Sequence, residues 1–188
     1  MTKQLKISML IITLTAIGLN TRAQDNPRTK LSFGPEVGLP ISDLGDRYDW
    51  SLGGSVHAEF PFQGNQWSLT LNAGFYNLFT PNQDNILSGT PYHEDLQVLP
   101  AKIGLKYFPV GGLFLQAEAG ASFLLNKSDA GYSNDAAFTY SPQVGYRFKL
   151  GKESFLDAGF KWEGNTKFSD RGPSNHFLGI RLAYGFSL

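Results

Sequence analysis

Between Leu96 and Asn126 the chain alternates apolar with polar or small residues in two long runs, separated by Pro109-Val110-Gly111-Gly112. In the first run Leu99, Ala101, Ile103, Leu105 and Tyr107 share one face, and Pro100, Lys102, Gly104 and Lys106 the other. In the second, Leu113, Leu115, Ala117, Ala119, Ala121, Phe123 and Leu125 alternate with Phe114, Gln116, Glu118, Gly120, Ser122 and Leu124. Successive side chains of a strand point to opposite faces, so a period of two specifies β-structure and excludes a helix. Each run is also long enough to cross a bilayer at a tilt, which takes about 9–11 residues.

The same pattern recurs along the chain. Strands are expected over about 29–39, 50–60, 67–77, 96–108, 113–125, 137–150, 155–163 and 175–188. Their connections alternate between long (40–49, 78–94, 127–135, 164–174) and short (61–66, 109–112, 151–154). Outer-membrane barrels have this asymmetry, and an even strand number brings both chain ends to the short-turn side. The reading is all-β: an eight-stranded antiparallel up-and-down transmembrane β-barrel, in one domain over residues 24–188. A soluble periplasmic barrel with a hydrophobic ligand inside would need the faces inverted.

The remaining apolar run is N-terminal. Lys3 and Lys6 precede Ile7–Leu19, and Thr21-Arg22-Ala23 follows. A basic start, a short apolar centre and a small residue at the cut describe a secretory signal over residues 1–23. The run is short for a spanning helix. The chain has no cysteine, which excludes disulfides, thiol chemistry and an N-terminal lipid-modified cysteine. The signal holds three basic residues and no acid, so the remainder carries 13 basic and 16 acidic groups and no basic patch for nucleic acid.

Three features bear on which face meets lipid. The polar faces carry Gly34, Gly38, Gly53, Gly74, Gly104, Gly120, Gly145, Gly159, Gly179 and Gly185, as a narrow lumen packed with some long side chains requires. On the apolar faces, Phe60, Trp67, Tyr107, Phe148, Tyr184 and Phe186 gather toward the short turns, and Trp50, Phe75, Phe138, Tyr140 and Trp162 toward the long loops, as two interfacial aromatic girdles. The strands exceed the roughly 5–6 residues usual in soluble sheets. Pro35, Pro100 and Pro142 fall inside strands of a sheet with no free edge, so bulges or bends are expected there.

The polar faces place Lys30, Glu36, Glu59, Lys102, Lys106, Glu118, Arg147, Lys149, Asp157, Lys161, Glu163 and Arg181 in the lumen. Buried charges must be paired, so a salt-bridge network that fills the barrel is expected, with a narrow anion-favouring pore as the alternative. Ser55, His57 and Glu59 share one strand face, but next-but-one neighbours on a strand are about 6–7 Å apart, too far for a nucleophile and its base. His93 and His176, and the acids Asp43, Asp46 and Asp49, lack metal-ligand spacing. No catalytic residue, metal or cofactor is assigned. Tyr48, Tyr92 and Tyr132 lie in the long connections, where surface contacts are made.

SFGPEVGLPISDL (32–44), LQVLPAKIGLKYF (96–108), LFLQAEAGASFLL (113–125) and the closing FLGIRLAYGFSL (177–188) resemble the eight-stranded OmpA/OmpX-type outer-membrane barrels. Within them they are most similar to the Bacteroidetes outer membrane protein beta-barrel (PorT-like) group. The resemblance implies a Gram-negative outer-membrane location and a porin-like or structural surface role. The partners it implies are outer-membrane lipid, periplasmic chaperones and the barrel-assembly machinery. Function is expected to be non-enzymatic, structural or surface-binding through the loops, with a lipid-modifying enzyme as a further alternative.

Overall fold

In the computed structural model, which describes residues 28–62, 66–81, 95–126, 134–166 and 175–188, the chain forms a closed antiparallel barrel. Its strands are β1 (Lys30–Ile41), β2 (Trp50–Phe62), β3 (Trp67–Phe79), β4 (Leu96–Val110), β5 (Leu113–Leu124), β6 (Ala136–Lys149), β7 (Ser154–Asn165) and β8 (Asn175–Ser187). Each pairs with its sequence neighbours, and β1 closes on β8 from Lys30↔Ser187 to Ile41↔His176. The expected strands are all present, with ends displaced by one or two residues at most positions. The N-terminal segment 1–23, Tyr92, His93 and Tyr132 lie outside the described residues.

Two glycines make the tight turn between β4 and β5, and Gly111 takes it with φ 57°, a conformation that a side chain disfavours. Pro109 and Val110, expected in that turn, belong to β4, whose register against β5 shifts between Tyr107 and Val110.

The strand prolines do not shift the register. Phe33↔Tyr184 and Glu36↔Arg181 keep one offset across Pro35, as do Ala73↔Ala101 and Tyr76↔Val98 across Pro100, and Tyr140↔Gly164 and Gln143↔Lys161 across Pro142. On the opposite side pairing is continuous, through Pro35↔Gly54, Pro100↔Ser122 and Pro142↔Ala117. An antiparallel residue directs its N–H and C=O to one neighbour only, so each proline loses bonds on one side and is held in register by the other.

The faces divide as a membrane barrel requires. Val56, Ile103 and Ile180 stand 57, 52 and 64 % exposed on the outside, while Lys102, Lys106, Asp157 and Glu163 are at most 4 % exposed within. A continuous apolar exterior of this kind has no place in water and matches hydrocarbon.

Several inward glycines receive a neighbouring side chain. A Cβ on Gly185 would overlap the Phe155 ring, one on Gly145 the Phe114 ring, and one on Gly53 the Tyr76 ring. Large and small residues therefore alternate around the lumen, which fills it without stretching the sheet. The replacement Gly185→Ala should destabilise the barrel by ~1–3 kcal/mol through overpacking. Phe155→Leu in the same chain should recover part of that loss. Urea midpoints in lipid vesicles check both, and purely additive effects would contradict the contact.

Candidate functional site

Among the described residues, chemically active groups are concentrated in the lumen. It is arranged in three levels between the turn end and the loop end.

Nearest the turn end, Arg147 of β6 faces Asp157 directly across the β6–β7 pairing. Its Nε and Nη2 donate to the two Asp157 carboxylate oxygens, each at 2.7 Å. Its Nη1 and Nη2 donate to Glu59 Oε1 and Oε2 at 3.1 and 2.5 Å. The guanidinium is thus bidentate to two carboxylates, the strongest geometry open to such a pair. Lys106 Nζ joins both acids, at 3.0 Å from Glu59 and 2.7 Å from Asp157. Aromatic rings close this level: Arg147 lies 3.8 Å from the Phe155 ring centre, and Lys106 lies 4.0 Å from that of Phe114.

At mid-height Glu118 is held mainly by neutral donors. Thr70, Asn72, Gln116 and Gln143 donate to it at 2.7–3.2 Å, and Lys102 Nζ stands 3.9 Å away. His57 is buried, with Nδ1 3.9 Å from the same carboxylate.

Toward the loops, Glu163 accepts from Lys102 at 2.5 Å and Lys161 at 3.3 Å. Lys161 continues to Glu36 at 2.5 Å, and Glu36 also pairs with Arg181 at 3.3 Å, its direct partner across the closing seam. Ser55 donates to Glu36 and accepts from Arg181, while Ser32 accepts from Arg181 at 3.2 Å. Tyr76 joins this level to the next: its hydroxyl meets Glu36 and Lys161, both at 2.7 Å, and its ring packs edge-on against Phe177.

Above lies an apolar cap of Leu44, Tyr48, Tyr76, Leu78, Leu96, Val98, Leu124, Ala137 and Phe177. Leu44 and Tyr48 come from the first long connection, which the sequence suggested was a polar loop with Tyr48 available for surface contact. It instead turns through a short 3₁₀ segment, Ser42–Leu44, and inserts both side chains, leaving Tyr48 1 % exposed. Their burial there removes apolar area from water that no lipid would cover. A cavity of about 10 Å³ beside Leu44, Tyr76 and Phe177 has room for no more than one water.

Ten of the twelve expected lumen charges form this network: the cations Lys102, Lys106, Arg147, Lys161 and Arg181, and the anions Glu36, Glu59, Glu118, Asp157 and Glu163. Five of each sign leave it neutral. Lys30 and Lys149 depart from the expectation. Both have inward register but lie at the last strand positions of the turn end, so their stems reach past the packed interior to the mouth, where Lys149 is exposed. Neither makes an ion pair among the described residues.

Ser55, His57 and Glu59 turn to different partners, Glu36, Glu118 and Arg147 respectively, and do not converge. Among the described residues, no three His, Asp or Glu side chains gather as a metal would require.

The residues named as aromatic girdles all have outward register. Trp67 stacks on Tyr107 at 4.4 Å, Tyr146 meets Phe148 at 4.8 Å, and Phe33 meets Tyr184 at 6.2 Å; Phe60 and Phe186 lie on the same face. At the loop end Trp50 stacks on Phe79 at 4.4 Å, and Phe138, Tyr140, Trp162 and His176 follow one another at 6.3, 5.4 and 5.0 Å. Phe75 stands further in, opposite Gly54, because β3 continues to Phe79.

The fold has close counterparts among solved structures. Neisserial surface protein A superposes with TM-score 0.59 and 12 % identity, covering 85 % of this chain and 97 % of that one. Ail, the attachment invasion locus protein of Yersinia pestis, does so with TM-score 0.51 and 13 % identity over 86 % and 99 %. The outer membrane protein AlkL, determined in DMPC bilayers, gives 0.51 and 16 % over 89 % and 94 %. At such identities the likeness establishes a shared barrel fold. No protein-family model and no curated protein matches the sequence.

Removing Arg147 leaves Glu59 and Asp157 with Lys106 alone. Arg147→Met should therefore cost ~3–5 kcal/mol, the usual penalty for stranding a buried charge. Lys149→Gln, at the exposed mouth, should stay within about 0.5 kcal/mol of the parent. Urea unfolding of the two variants side by side measures the contrast, and equal losses would mean that Arg147 is not the centre of the turn-end network.

Proposed function

We propose that the protein is a small outer-membrane barrel of the PorT-like group, with residues 1–23 removed on export and the turn end facing the periplasm. It is non-enzymatic, has a closed lumen, and acts as a structural or surface-binding element through its long external connections. Insertion by the barrel-assembly machinery, after escort by periplasmic chaperones, accompanies this reading. Lipid meets the apolar exterior, with the outward aromatics as interfacial girdles.

The observation that carries the closed lumen is the neutral network of ten buried charges, sealed by rings at one end and by Leu44 and Tyr48 at the other. A conducting pore needs a continuous wet path, whereas each acid here is already engaged by cations, amides or hydroxyls within the barrel. The dispersal of Ser55, His57 and Glu59 argues against a lipid-modifying site on that strand.

Two measurements test the reading. The expressed chain should sediment with outer membranes and change gel mobility on boiling; release with soluble periplasm would refute the location. The purified folded barrel should give negligible single-channel conductance in planar bilayers, and a stable, reproducible open level would refute the closed lumen.

A further inference from the structure

At the turn end the barrel opens into a cup of about 800 Å³, lined by Arg28, Lys30, Arg147, Lys149 and aromatic side chains, with no acid among the described lining residues. Arg147 is saturated by Glu59 and Asp157, and Arg28 pairs with Glu153 at 2.5 Å. The ten charges beneath cancel, and the lining cations Lys30 and Lys149 have no ion pair among the described residues. Two cations beside a neutral, ring-lined floor form an anion site.

The wall of the cup indicates which anion. On one side it is bounded by Gly111-Gly112, where the turn carries no side chains and the Tyr146 ring lies against Gly112. Tyr146 and Phe148 also line the cup, yet they have outward register and belong to the apolar exterior. The cup therefore runs from the lysines inside the mouth, past the two glycines, to the lipid-facing surface. A ligand that fits both parts has an anionic phosphate and apolar chains.

We propose that this cup binds the phosphate headgroup of an anionic phospholipid from the adjacent leaflet, with Lys30 and Lys149 on the phosphate and the acyl chains descending past Tyr146 and Phe148. The proposal rests on the transmembrane placement given above. A soluble phosphate would use the same lysines but not the outward aromatics.

The test uses the folded full-length barrel extracted from vesicles of equal phosphatidylglycerol and phosphatidylcholine, with bound lipid counted by native mass spectrometry. The wild-type chain should retain phosphatidylglycerol in preference to phosphatidylcholine. Each lysine near an anionic lipid is worth roughly five-fold in partitioning, so Lys30→Gln with Lys149→Gln should reduce the preference by about twenty-five-fold. Gel mobility before boiling confirms that the variant is folded. No preference in the wild type, or a preference untouched in the folded variant, overturns the proposal. Retention of added inorganic phosphate without any lipid preference also overturns it, and assigns the cup to a soluble anion. Failure of the wild type to fold into vesicles of either lipid would instead overturn the transmembrane placement itself.

Discussion

Everything in this molecule follows from one constraint: in hydrocarbon a backbone N–H or C=O without a partner costs several kcal/mol, so a sheet that crosses a membrane must close. Closure here is the β1–β8 pairing, and the sequence carries a proline on that seam, Pro35. The seam survives because β1 is also tied to β2 through the same residues, from Phe33↔Val56 to Val37↔Leu52. Glu36 and Arg181 add an ion pair across the seam on the lumen side. Three prolines in three strands are accommodated alike, each missing donor falling on one side only.

Closure with eight strands then dictates the interior. The enclosed space is narrow enough for side chains to fill, and the outward face must be apolar, so the charged residues of the strands are forced inward together. Charges so confined must neutralise one another. Five cations and five anions do so through contacts that cross the lumen, such as Lys102 with Glu163 and Arg147 with Glu59. Glycine has the complementary role, since Gly145, Gly185 and Gly53 leave room for Phe114, Phe155 and Tyr76 to lie inward. The exposed apolar exterior and the buried charged interior are thus two results of one alternation.

That alternation was legible in the sequence because β-geometry has a period of two and a membrane barrel has no second layer to blur it. Strand number, closure, inward glycines and ten of the network residues follow from it directly. What escaped are features set by height along the barrel. Lys30 and Lys149 share the inward register of Arg147 but sit one step beyond the packed interior. Tyr76, Leu96, Val98, Leu124 and Phe177 also face inward, and their alignment into a cap depends on how the strands are staggered. Leu44 and Tyr48 enter that cap through a turn with no periodic signal. The neutral partners of Glu118, namely Thr70, Asn72, Gln116 and Gln143, had the right register but no charge to draw attention.

The same stagger governs where the protein can meet other molecules. A lumen whose charges cancel exerts little field beyond itself, so its groups act as structure. Charge that fails to cancel must lie at an end, and among the described residues the turn end holds Lys30 and Lys149, which the strands leave beyond the network without an ion pair. At the loop end the interior is apolar and already covered by the chain's own Leu44 and Tyr48, which presents no open path to a solute. The barrel is therefore chemically quiet along its axis and distinctive at its rims. On the reading proposed above, recognition belongs to the basic, lipid-edged mouth on one side and to the long connections on the other.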